Sequence, residues 1–152
     1  MDVAATYTFE APRDRVWRLL VDPDVIAGCL PGCESMEAVG EDAYRATLTI
    51  GIAAITGRYQ GTVRMTDKQE PERYTLMVEG KGNPGFVNGS ATISLAEENG
   101  GAATRVAVAG TAQVGGTIAR VGQRLLGGVS KMTMDRFFAC LRERAKADGT
   151  GA

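Results

Sequence analysis

The side chains with the widest chemical reach in this chain are its three cysteines, and two of them, Cys29 and Cys33, flank Leu30-Pro31-Gly32. A Cys-x-x-x-Cys pair could serve as a redox couple or as half of a metal site. With only Cys140 elsewhere and no histidine, it makes a poor zinc set, because structural zinc takes four nitrogen or sulfur ligands. The lack of histidine also removes Ser-His-Asp and Cys-His catalysis. The plainer reading is that one cysteine packs as a small hydrophobe while the other shapes the loop. An odd count excludes a complete disulfide framework within one chain, and free thiols in a reducing cytoplasm are expected. Glu70, Glu72, Glu97 and Glu98 fall in turns and form no acid–base pair. The run Gly122-Gln123-Arg124-Leu125-Leu126-Gly127 lacks the Lys-Ser/Thr ending and the preceding strand of a phosphate loop. Tyr59, between Gly57 and Gly61, offers a hydroxyl to a ligand carbonyl or to a structural partner. Trp17 reads as a core or mouth residue, with ligand stacking as the alternative.

The elements that would position these groups follow from hydrophobic periodicity. Val3, Ala5, Tyr7 and Phe9 alternate with polar or small residues, which predicts a first strand. Pro12 then opens a short helix to Val21 carrying Val16, Trp17, Leu19 and Leu20, and Asp22-Pro23 caps and opens a second. From Ser35 to Val114 alternating runs are separated by turns at Gly40-Glu41-Asp42, Glu70-Pro71-Glu72, Asn83-Pro84-Gly85 and Glu98-Asn99-Gly100-Gly101. Strict alternation gives each strand one wet and one covered face, and sequential hairpins give an antiparallel meander. Ile118, Val121, Leu125, Val129, Met132, Phe137 and Leu141 recur at three or four, predicting a long amphipathic helix from Thr117 to Ala147. Gly127-Gly128 in its middle is the expected kink. The result is an α+β domain over residues 1–147: a curved antiparallel sheet of about seven strands wrapped on a long C-terminal helix, with two short helices after strand 1 and a frayed tail at 148–152.

The chain is 152 residues long, 44% hydrophobic and 23% charged, which suits one globular domain. Its formal net charge of -1 provides no basic surface for nucleic acid. An acidic N-terminus and the lack of a long apolar run predict a cytoplasmic protein without a membrane span. Arg120, Arg124 and Lys131 form a basic line on the long helix, read either as a solvated face or as a contact for anionic lipid or an acidic partner.

Glycine, with 20 residues, is the most informative compositional feature. On the covered faces Gly61, Gly80, Gly89 and Gly110 sit among apolar neighbours, leaving inward positions small at one end of the sheet. Close-packed interiors would place bulk there. Either the helix approaches closely, or the glycines bend the sheet, or space is left for a ligand.

Several segments resemble a known family. Ala11-Pro12-Arg13-Asp14-Arg15-Val16-Trp17 followed by Leu20-Val21-Asp22-Pro23 resembles the opening of a START-like, helix-grip (SRPBCC) domain. Cys29-Leu30-Pro31-Gly32-Cys33 is similar to a segment of the CoxG family, the G subunits of carbon monoxide dehydrogenase. Gly57-Arg58-Tyr59-Gln60-Gly61, Gly80-Lys81-Gly82, the stretch Gly115 to Gly122 and Phe137-Phe138 also match, so the likeness covers nearly the whole chain. The resemblance implies an accessory protein of a carbon monoxide dehydrogenase-type molybdenum hydroxylase, linked to the membrane or to the quinone pool. In some members a C-terminal extension ends in a membrane-binding segment. This sequence stops at Ala152, so a soluble carrier or binder is expected, with peripheral contact to the inner face of the cell membrane as an option.

The expected function is therefore non-enzymatic binding of a quinone or lipid-like molecule in an internal cavity, without a catalytic residue, metal or cofactor. The candidate ligand contacts are Trp17, Ile26, Leu30, Leu48, Ile50, Tyr59, Gly61, Val63, Leu76, Phe86, Ile93, Val121, Leu125 and Met132. The Leu30–Cys33 loop is expected at the cavity mouth, and Pro31-Gly32 and Gly127-Gly128 are the candidate hinges. Two alternatives stand beside this reading. A surface-acting assembly or membrane-recruitment factor would show a filled core and an exposed apolar patch. A START-like enzyme would need convergent ionisable groups in the cavity.

Overall fold

The computed structural model describes residues 1–52, 55–83 and 85–150, the side chains of 147–150 excepted. The first strand, β1 (Asp2–Phe9), runs into α1 (Arg13–Val21), with Pro12 at its N-cap, and α2 (Pro23–Cys29) follows at once. Asp22 caps α2 as its position demands: the carboxylate accepts the Asp24 N–H at 2.9 Å, and Pro23 occupies the first turn, where a missing N–H costs nothing. Then come β2 (Cys33–Gly40), β3 (Ala43–Ile50), β4 (Gly57–Gln69), β5 (Arg73–Gly82), β6 (Gly85–Glu98) and β7 (Ala103–Gly115). They form one seven-stranded antiparallel sheet in the order β1-β7-β6-β5-β4-β3-β2. The meander from β2 to β7 is therefore as expected, and the helical crossover returns β1 to pair with β7. Pro84, in one expected turn, lies outside the described residues.

The C-terminal helix differs from the expectation at its start. Residues Thr117–Val121 form a 3-10 turn, Gly122 breaks the chain at φ 91°, and α3 runs from Gln123 to Thr150. The break thus falls at Gly122, where a positive φ suits a residue without Cβ, and α3 passes through Gly127-Gly128 without one. Arg120 accordingly sits in the turn and not on a helical line with Arg124 and Lys131. Of the expected frayed tail, residues up to Thr150 are helical, and Gly151 and Ala152 lie outside the described residues.

The C-terminal half of α3 is clamped on β1. Phe138 stacks on Tyr7 with ring centroids 4.1 Å apart and meets Phe9 edge-on at 6.2 Å. Leu141 and Ala145, one and two turns further on, are buried in the same cluster with Val16, Leu20 and Val106. Polar contacts fix the register. The Tyr7 hydroxyl donates to Asp135 at 2.8 Å, and Arg142 Nε donates to the Thr8 carbonyl at 3.0 Å. A smaller second cluster of Ile55, Tyr59 and Ile118 closes the opposite end of the sheet.

The cysteine expectation is corrected here. Cys29, at the end of α2, is disulfide-bonded to Cys140 on α3, across a sequence separation of 111. Cys33 is the free thiol, and burial pushes its pKa up, so it is no reactive thiolate. Alkylation of the unreduced, denatured protein will therefore label Cys33 alone, and labelling of all three cysteines will require prior reduction; peptide mapping reads the difference.

Inward glycines turn out to serve curvature and space together. The register aligns Ala112 with Gly89, Gly110 with Ala91, and Gly80 with Gly61, which in turn faces Ala46. A Cβ on Gly61 would lie 2.6 Å from the Glu79 carbonyl oxygen, and one on Gly89 2.8 Å from that of Thr111. Neighbouring backbone is thus folded over these positions, as in a tightly bent sheet. Gly80 differs, since the nearest atom to its Cβ position is 4.0 Å away. Gly61→Ala should therefore cost about 1–3 kcal/mol by overpacking against rigid backbone. Gly80→Ala, its direct cross-strand partner, should be neutral or stabilising; urea melts of the two variants check this.

Candidate functional site

Between the bent sheet and the helices lies an apolar cavity of about 400 Å³. This is within the range of small-molecule pockets, roughly 300–1,000 Å³. Its floor is the concave sheet face: Ala46 and Leu48 of β3, Val63 of β4, Leu76 of β5, and Ala91 and Ile93 of β6. Gly89, Gly110 and Ala112 form the part where small residues align across strands. Its lid has two pieces. Ile26 of α2 and Leu30 just after it supply one, and Thr133, Met134, Phe137 and Phe138 of α3 supply the other.

The space exists because α3 fills only part of the concave face. Phe138 and Leu141 seat the C-terminal half on β1, and Thr133, Met134 and Phe137 of the same helix reach over the cavity. Opposite, the sheet offers glycine and alanine. These small residues on the sheet side leave a gap that the helix side chains do not fill.

Among the described residues no charged side chain lines the cavity. Its polar side chains are the hydroxyls of Tyr74 and Thr133, since Ser90 and Thr111 alternate to the outer face of the sheet and meet the cavity through their backbone. Burial pushes the Tyr74 phenol well above its ordinary pKa, so it stays neutral at any physiological pH. Among the described residues no group of three His, Cys, Asp or Glu side chains is placed to hold a metal ion. The arrangement can desolvate an apolar molecule and offer it these hydroxyls. Among the described residues the lining holds no Asp, Glu, His, Cys, Lys or Arg side chain.

The structure brings together Ile26, Leu30, Leu48, Val63, Leu76 and Ile93 of the candidate contacts. It places the others elsewhere. Trp17 is buried in the main core, edge-on to Tyr74 at 5.4 Å. Gly61 lies in the sheet beside Ala46. Ile50 and Tyr59 belong to the second cluster, and the Tyr59 hydroxyl is already engaged, donating to the Ile55 carbonyl at 2.7 Å. Phe86 is exposed and covers Gly115 on the neighbouring strand. Val121, Leu125 and Met132 line a separate open groove with Ile52, Val129 and Arg124. The break at Gly122 sets the phase of α3, so that Thr133, Met134, Phe137 and Phe138 face inward instead.

Sequence reasoning missed Tyr74, Met134 and Phe138 as lining residues. Tyr74 stood on an alternating run with Leu76 and Val78, which was the available signal. Phe138 fell off the assumed helical stripe by one position and carried none.

A sequence model of the carbon monoxide dehydrogenase G-subunit family (CoxG) matches residues 6–146. The chain belongs to the CoxG family. A conserved protein from Geobacillus kaustophilus has a solved structure similar to it, with 37% identity over 97% of this chain and 96% of that one, and a TM-score of 0.93. A START superfamily protein from Mycobacterium smegmatis, 13% identical over 96% of this chain and 97% of its own, superposes with a TM-score of 0.74. A protein from Thermus thermophilus, 20% identical over 97% of this chain and 99% of its own, gives 0.71. These last two show the fold alone, which is the START-like fold expected. A comparison with curated proteins finds no match. CoxG membership and the START-like fold together suggest a ligand-binding accessory protein, the role that an uncharged cavity fits.

If the Tyr59 hydroxyl serves the second cluster and not the cavity, Tyr59→Phe will lower stability by about 1 kcal/mol, the usual net worth of one hydrogen bond. It will leave uptake of any apolar probe unchanged. Thermal melts and probe titration of the same variant check both halves.

Proposed function

We propose that this chain is a non-enzymatic accessory protein that holds a hydrophobic small molecule, a quinone or a lipid-like compound, in the cavity between its sheet and α3. It would act beside a molybdenum hydroxylase of the carbon monoxide dehydrogenase type. One observation carries the reading: an apolar cavity of about 400 Å³ with no charged side chain among the described residues of its lining. Family membership supports the accessory role. Affinity would come from burial of apolar ligand surface, at roughly 25 cal/mol per Å². A charged headgroup would be left outside, because burying an unpaired charge costs far more than the cavity can return.

A second reading is favoured by the open groove of Ile52, Val121, Leu125, Val129 and Met132, which Arg124 borders. An apolar strip beside a cation suits peripheral contact with an anionic lipid surface. Among the described residues no helix is long and apolar enough to cross a membrane. The two readings are compatible, since a carrier of an apolar molecule must collect it somewhere.

Native mass spectrometry of the purified protein, with organic extraction of whatever co-purifies, tests the proposal. A stoichiometric quinone or lipid is the expected result. An apo mass with no uptake of added quinone would favour the surface-acting reading. Ala91→Phe, which adds a ring to the cavity floor, should abolish uptake while the protein stays folded by circular dichroism.

A further inference from the structure

The chain has four tyrosines, and their hydroxyls are treated differently. Tyr7 donates to Asp135, and Tyr59 donates to the Ile55 carbonyl. Tyr74 is as deeply buried as either, at 4% exposure, yet its hydroxyl makes no hydrogen bond to any described residue. Buried tyrosine hydroxyls ordinarily find a partner, because leaving one unmet costs about 1–3 kcal/mol. Its ring is held from one side by Trp17, edge-on at 5.4 Å, and its side chain forms part of the cavity wall. Among the described side-chain atoms, the one that is both fully enclosed and unpaired is Arg13 Nε. The Tyr74 oxygen is thus not fully enclosed by protein, and the residue lines the cavity.

We propose that the Tyr74 hydroxyl is the donor that anchors a neutral hydrophobic ligand through an acceptor oxygen, such as a ring carbonyl. This rests on the cavity reading above and narrows it. The ligand class becomes a neutral molecule with a hydrogen-bond acceptor on its buried part. A plain hydrocarbon tail would leave the hydroxyl unmet, and a carboxylate would have no cation beside it among the described lining residues. Trp17 is a positioning residue in this scheme: it fixes the Tyr74 ring and has no ligand contact of its own.

Tyr74→Phe removes the hydroxyl and keeps the ring against Trp17. Two probes of equal shape separate the contributions, 2,3-dimethyl-1,4-naphthoquinone, which carries two carbonyls, and 2,3-dimethylnaphthalene, which carries none. Each is titrated against wild type and variant by displacement of the neutral reporter N-phenyl-1-naphthylamine. The variant should bind the quinone roughly three- to tenfold more weakly, the range of one hydrogen bond, and the hydrocarbon equally well. Its ligand-free melting temperature should not fall, because no intramolecular bond is lost. Equal weakening for both probes, or a destabilised ligand-free variant, would assign Tyr74 a packing role and overturn the proposal. Undiminished quinone binding by the variant would overturn it while leaving the cavity reading intact. Failure of wild type to bind either probe would remove both.

Discussion

Everything in this molecule depends on how one helix covers a sheet that is larger than it can cover. A seven-stranded antiparallel sheet has a concave apolar face that must be shielded from water. The shield is α3, and its hold is concentrated at one end. Phe138 stacks on Tyr7, Leu141 is fully buried, and the Tyr7–Asp135 and Arg142–Thr8 hydrogen bonds set the register. The Cys29–Cys140 disulfide ties α2 to that same half of the helix. The N-terminal half packs elsewhere, Leu126 and Val129 lying on the second cluster while Gly127 and Gly128 are exposed. The cavity lies beside this clamp: it is the part of the concave face that Thr133, Met134, Phe137 and Phe138 cover without filling.

Much of the sheet was legible in the sequence, because period-two alternation decides which side chains face inward whatever the rest of the chain does. The inward positions of Gly61, Gly89, Gly110, Val63, Ile93 and Val108 all follow from it, and the cross-strand register then places the small ones side by side. Helix α3 was less legible. A stripe through Val121, Leu125 and Met132 is consistent with a buried face, but Gly122 breaks the phase: Val121 and Val129 pack on the second cluster, while Leu125 and Met132 border an open groove. Apolar spacing records which face is hydrophobic, and packing against a partner decides whether that face is covered. The cysteine pairing was beyond reach for a different reason. Cys29 and Cys140 are 111 positions apart, and only the docking of α2 on α3 brings their Cα atoms to 5.4 Å. The expectation of free thiols therefore had no signal against it in the sequence.

The competing explanations for the glycines proved to be one explanation. A strand can bend sharply only where it lacks a Cβ that would strike its neighbour, as at Gly61 and Gly89. The same lack of a side chain removes volume from the concave side. Curvature and empty space are thus two consequences of a single substitution pattern, and a sequence that selects one obtains the other. Gly80 is informative because it is exempt: its Cβ position is open, so the space there is not forced by the bend.

The chemistry of the cavity is restrictive by what its walls contain. Among the described residues, a lining of carbon with the hydroxyls of Tyr74 and Thr133 cannot compensate a buried charge, so discrimination against ionised molecules needs no dedicated repulsive group. Discrimination among neutral molecules is harder, since apolar burial is nearly indifferent to shape and each methylene is worth about 0.8 kcal/mol. A polar group held in an apolar wall changes that balance. It penalises every occupant that fails to meet it, and the penalty is largest where the group is fixed and dry. Under the proposal above, Tyr74, buried and edge-on to Trp17, is that group, whereas the side chain of Thr111 lies on the outer face of the sheet. On that proposal, selectivity among neutral occupants rests on the Tyr74 hydroxyl.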